Sequence, residues 1–262
     1  MEMIDHDLAK FEEVEPKRCK AFVEALSNAG QSSIDAFLNA NRHQLGFQTI
    51  GRGAIAQVLL DYERKETSIS DDDWMSYLFE VMVEGVASGA EFLEQNRIGF
   101  ITFNYDRLLE TFLFQRIKHS FGLDQTSSRK ILSEIPIHHV YGTLGSFPIP
   151  KNLDASAWIE ASKGIRTIFD SEHDQATLED AKSLLSNAHH ICLLGFGFHP
   201  ENINILNLVE YARACHGAVV SSRYKMTESE WNRLTRPFAE VRIEISHPIH
   251  RCLEALRSFP IF

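Results

Sequence analysis

Three observations predict an α/β protein organised around a doubly wound, mostly parallel sheet. From residue 98 onward short β-rich runs alternate with amphipathic helical runs, which implies right-handed crossovers and helices on both faces of a sheet. Before residue 98 the texture is helical. With 44% apolar and 24% charged residues among 262, the chain is also long enough to bury a large core. Residues 1–97 are therefore expected to form a helical region packed on the sheet of residues 98–262, the two making one structural unit.

The helical region starts with "KAFVEALSNAG", which stops at Gly30 as a helix should. Ser32 or Ser33 can cap the next helix, "SIDAFLNANR". "GAIAQVLLDYERKE" and "DDDWMSYLFEVMVEGVASGAEFLEQN" read as two longer helices, and Asp71 to Asp73 suit the electrostatics of an N-terminus. The strand runs then follow in order. "IGFITF" precedes the helix "DRLLETFLFQRIKHSFG", and "IPIHHVY" precedes a loop. "GIRTIF" precedes "TLEDAKSLLSNA", and "HHICLLGFGF" precedes the helix "PENINILNLVEYARACHG". "AVVSS" precedes "TESEWNRLTRPF", and "VRIEI" precedes "HRCLEALRSF". "GSFPIPKNLDAS", residues 145 to 156, is the one stretch that reads as a flexible connector.

Composition narrows the function classes. A formal net charge of -10 without any long basic run argues against a direct electrostatic grip on nucleic acid. Cys19, Cys192, Cys215 and Cys252 are scattered with no C-x-x-C pair, so neither a zinc ribbon nor a disulfide framework is expected, and Cys192 reads as a buried free thiol. No metal is expected: His247 and His250 have no third ligand nearby. The acidic N-terminus lacks the apolar core of a signal peptide and no run is long enough to cross a bilayer, so no membrane partner and a cytoplasmic location are expected.

In doubly wound sheets small ligands bind beyond the carboxyl ends of the strands. Three exits stand out: "TFNYD" at 102–106, "HHVYGTLG" at 138–145 and "LLGFGFHPEN" at 193–202. In order and spacing they resemble the sirtuin-like domains of bacterial proteins, many of which hydrolyse NAD in anti-phage defence. "SIDAFLNANR" and "IGRGAIAQVLLDYE" look like the helical insert of those Rossmann-like domains. The resemblance implies NAD as substrate or an ADP-ribose-like ligand. It assigns Asn104 to holding ribose and water, places Tyr141 at the position of the family's catalytic histidine, and implies cofactor contacts from Asp106, Gly142, Gly195, Gly197, Phe198 and Ser221. A zinc-dependent deacetylase is not implied, because the zinc-binding cysteine pairs of those enzymes are absent.

Two departures bear on the chemistry. The family's opening strand and glycine-rich turn, whose amides hold the pyrophosphate, have no counterpart before Ser32. A sheet lacking that strand has an open edge, which favours self-association or a defence-system partner protein. Where the family has histidine before glycine this chain reads "VYG", and a phenol with a reference pKa near 10 is a poor base at neutral pH. His139, two residues before Tyr141 and on the same strand face, is the substitute candidate for the base, with a structural histidine bonded to backbone as its other reading. The alternatives are thus an NAD hydrolase with impaired chemistry or a non-catalytic binding module. Asn104 itself has two readings, helix cap or ligand contact; Asp106 is placed to cap the helix instead.

Overall fold

The computed structural model describes residues 16–31, 34–65, 73–148, 155–167 and 174–259. Two compact units divide the chain, each assembled from three segments. Unit 1 takes Met1–Thr67, Thr102–Thr111 and His139–His173; unit 2 takes Ser68–Ile101, Phe112–His138 and Asp174–Phe262.

Unit 1 is helical around two apolar clusters. Helices α1 (Pro16–Asn28), α2 (Ile34–Ala40) and α3 (Phe47–Lys65) enclose Phe22, Phe37, Phe47, Leu38 and Ile50. Phe22 meets Phe37 and Phe47 edge-on with centroids 5.5 and 5.3 Å apart, the preferred geometry for aromatic rings. Further along α3, Ala56 and Leu60 join Leu144, Ala161 and Ile165 in a second cluster.

In unit 2, α4 (Trp74–Val83) begins where the Asp73 carboxylate accepts from the Met75 amide. The long helix expected over 71–96 is broken in two. Gly85 takes the left-handed conformation at φ 75°, and Ser88 then caps α5 (Gly89–Gln95) while the Glu91 carboxylate reaches back to the Ala87 amide. Asp71 and Asp72 lie outside the described residues, as do Ser32 and Ser33.

The strands that follow are short. β1 (Phe100–Thr102) pairs with β2 (Ile137–His139): the Phe100 amide donates to the Pro136 carbonyl and the Thr102 carbonyl accepts from the Val140 amide, so partners advance together along both strands as in a parallel pair. Between them lie α6 (Leu108–Ser120) and α7 (Gln125–Ser133), the latter capped by Asp124 and not anticipated. Helix α8 (Ala155–Lys163) begins inside the expected connector. The expected strand "GIRTIF" is corrected for its described part: Gly164 is a turn and residues 165–167 are irregular, while residues 168–169 lie outside the described residues.

Unit 2 ends in a parallel ladder, β3 (Ile191–Leu193), β4 (Val219–Ser221) and β5 (Ile243–Ile245), in sequence order. Helix α9 (Gln175–Ser186) precedes β3. α10 (Pro200–Ile205) and α11 (Leu208–Ala214) link β3 to β4, and α12 (Glu228–Leu234), with a full capping box between Thr227 and Glu230, links β4 to β5. The single helix expected over 200–217 is interrupted at Asn207, whose φ of 51° is left-handed. α13 (Cys252–Arg257) brings Ala255 onto Val220, with Phe259 beside it. Cys192 in β3 is a half-buried free thiol that burial, with the Cys252 thiol adding, pushes up to about 12. No described helix is long and apolar enough to cross a membrane. The chain is thus a mixed α/β protein with small parallel ladders.

Candidate functional site

Within unit 1 the exit of β1 is fixed by its own backbone. The Thr102 hydroxyl accepts from the Asn104 amide at 3.1 Å, and the Tyr105 carbonyl accepts from the Leu144 amide at 2.9 Å. The Tyr105 hydroxyl donates to the Arg166 carbonyl at 2.8 Å. Asp106 Oδ1 accepts from the Leu108 amide, so Asp106 caps α6, as its position suggests. Asn104 is released from capping: it is exposed, and its side-chain amide has no hydrogen-bond partner among the described residues.

Asn104 is among the residues that line a cavity of about 550 Å³, a size that suits a small ligand. Phe22, Leu26, Ile55, Leu59 and Phe103 give it apolar walls, while Asp35 and Asp106 add carboxylates, and no Lys or Arg lines it among the described residues.

Behind the turn lies a buried polar chain. His139 is 5% exposed; its Nδ1 lies 2.8 Å from the Asn104 carbonyl and its Nε2 2.9 Å from Glu110 Oε1. Glu110, also buried, receives the Arg107 guanidinium on the same oxygen, and Arg107 also donates to the Gly145 carbonyl at 3.2 Å. Burial pushes the Glu110 carboxyl up, but the His139 ring and the Arg107 guanidinium outweigh it and hold it below the usual carboxylate range. Glu110 Oε2 and Arg107 Nε have no hydrogen-bond partner among the described residues.

Glu63, near the end of α3, accepts the Arg107 backbone N–H at 2.6 Å. Burial is the main force on this carboxyl; with the Asp106 and Glu110 charges it prevails over the Arg107 bond and raises Glu63 to about 7. The folded state thus holds the Glu63 proton more tightly than the unfolded chain, so this stabilisation is complete below pH about 4.5 and disappears as pH rises through about 7. Because the carboxyl is only partly buried, the screened contribution is on the order of 1–2 kcal/mol. Urea unfolding at pH 5 and pH 8 should show wild type losing that much more stability than Glu63→Gln; equal losses in the two proteins refute the assignment.

The other expected site residues are placed as follows. Tyr141 is 5% exposed, packs against Phe103 with centroids 5.5 Å apart, and does not line the cavity. Gly142 closes a turn, its amide donating to the His139 carbonyl, and is likewise absent from the cavity wall. Asn104 and Asp106 thus reach the cavity, whereas His139, Tyr141 and Gly142 lie off its wall.

Gly195, Gly197, Phe198 and Ser221 belong to unit 2. Gly195, at φ 63°, donates its amide to the Ser222 hydroxyl at 2.8 Å, and Gly197 is exposed with open space around its α-carbon. Phe198 is 1% exposed and meets Phe196, Trp231 and Phe238, so its ring is core. Ser221 is fully buried and its hydroxyl donates to the Ser222 carbonyl.

Glu110, Arg107 and Glu63 were not singled out from the sequence. The signal available was weak: Glu110 is an acid in the otherwise apolar "LLETFLF", three residues after Arg107. Among the described residues no group of His, Cys, Asp and Glu is arranged to hold a metal ion. Comparison of the chain with protein-family models, curated proteins and solved structures finds no match.

Proposed function

We propose that this chain is a sirtuin-like NAD-binding protein, related to the NAD hydrolases of bacterial anti-phage defence, whose unit 1 cavity takes the nicotinamide ribose end of NAD. Asn104 carries the reading: an amide excused from capping and from any bond among the described residues, at a strand exit and on a cavity wall. Breaking the nicotinamide–ribose bond develops oxocarbenium character, and an amide that donates and accepts without titrating suits both the ribose hydroxyls and the attacking water. The nicotinamide of NAD is cationic, which matches apolar walls carrying Asp35 and Asp106. On the same reading β3-β4-β5, parallel and in consecutive order with helical crossovers, is half of a doubly wound, Rossmann-like sheet, and the N-terminal helices are its insert.

The test is release of free nicotinamide from NAD in a cytoplasm-like buffer. Asn104→Ala should lower turnover at least about 100-fold, the scale of losing one group that stabilises a transition state; undiminished turnover rejects the role.

A second reading has its own observation. Tyr141 is buried away from the cavity and both nitrogens of His139 are engaged, which favours a module that binds an ADP-ribose-like ligand, or a defence partner, without turnover. No nicotinamide release at high protein concentration, with or without Tyr141→His, together with calorimetric binding of ADP-ribose, selects that reading.

A further inference from the structure

We propose that Glu110 and His139 are positioning residues that act through Asn104: the carboxylate holds the ring, the ring holds the Asn104 carbonyl, and the Asn104 amide is thereby aimed into the unit 1 cavity. The kinetic part of this inference rests on the NAD reading, whereas its structural part does not.

The Asn104 side chain has nothing of its own to fix it, being exposed and without a hydrogen-bond partner among the described residues. Its aim is therefore set by its backbone, which is held at two points: the amide on the Thr102 hydroxyl and the carbonyl on His139 Nδ1. A carbonyl and a carboxylate oxygen both only accept, so the ring donates from Nδ1 to the Asn104 carbonyl and from Nε2 to Glu110 Oε1. Arg107 fixes Glu110 in turn and is itself tied to Gly145 and Glu63. Burying a carboxylate and an imidazole costs desolvation, and an apolar pair of equal volume would fill the same space at less cost. What an apolar pair cannot do is grip the one carbonyl adjacent to the amide on the cavity wall. The arrangement has the logic of a carboxylate orienting a histidine so that its other nitrogen faces a fixed target.

The two ring nitrogens can be replaced separately, which distinguishes aiming from mere packing. In His139→Asn the short amide keeps a donor near the Nδ1 position; in His139→Gln the longer amide keeps reach toward Glu110 and loses the Asn104 carbonyl. Expected for His139→Asn, which keeps the bond to the Asn104 carbonyl but loses its anchor on Glu110, is a fall in kcat for NAD no larger than that of Glu110→Gln and clearly smaller than that of His139→Gln. Expected for His139→Gln and Glu110→Gln is a fall of tenfold or more in kcat with KM within about twofold, since the cavity walls are untouched. In the ligand-free protein, backbone hydrogen exchange at Asn104 and Tyr105 should quicken at least tenfold in His139→Gln and Glu110→Gln, with exchange across α3 unchanged.

Equal behaviour of His139→Asn and His139→Gln, or uniform quickening throughout unit 1, overturns the inference. So does unaltered exchange at Asn104 in both His139→Gln and Glu110→Gln. If wild type releases no nicotinamide, the hydrolase reading fails by itself and the exchange pattern alone decides the positioning role.

Discussion

Glu110→Ala is expected to cost about 3–5 kcal/mol of stability, because it removes one partner from a buried charged cluster and strands the others. His139 Nε2, inside the core, and the Arg107 guanidinium both lose the oxygen they share. The methylenes removed leave a void as well. Denaturant unfolding followed by fluorescence measures the loss, and Glu110→Gln should lose clearly less because its amide still offers a polar partner. A loss below about 1 kcal/mol for Glu110→Ala would mean that the cluster is bridged by something other than its own side chains.

Gly142→Ala should be nearly as damaging, at about 3 kcal/mol, and for a different reason. Gly142 has φ 79°, where an L side chain is strained. A Cβ there would also lie 1.9 Å from the Gly164 carbonyl oxygen, which is backbone and cannot swing aside as a flexible side chain would. The neighbouring segment is pinned by the bond from the Arg166 amide to the Tyr141 carbonyl. Gly164→Ala meets the same barrier from the other side, 2.2 Å from the Thr143 carbonyl oxygen. Thermal melting of both variants checks the pair; a Gly142→Ala protein as stable as wild type would show that the two segments separate freely.

These two sites also show what the sequence made legible. Local chemistry was readable: the Asp73 cap, the Asp106 cap and the unusual freedom of Asn104 all follow from residues within a few positions of one another. Interruptions were harder to see. Apolar spacing continues on both sides of Gly85 and Asn207, so periodicity alone joins helices that a left-handed residue separates. Partnerships between distant segments left almost no trace. Glu110 and His139 are 29 residues apart, and the cavity that Asn104 lines is also walled by Phe22 and Leu26 from the first described helix. Tyr141 misled for a related reason: its place before Gly142 suggested a cleft contact, yet the turn directs the phenol into packing against Phe103.

The division of the chain into interleaved units has a consequence for how it is made. Five covalent junctions, at 67/68, 101/102, 111/112, 138/139 and 173/174, carry the backbone from one unit to the other. During vectorial synthesis the last segment of unit 1 is made before any residue of the β3-β4-β5 ladder. Unit 1 thus receives its last residue from the ribosome ahead of the ladder, while no single contiguous excision could isolate either unit.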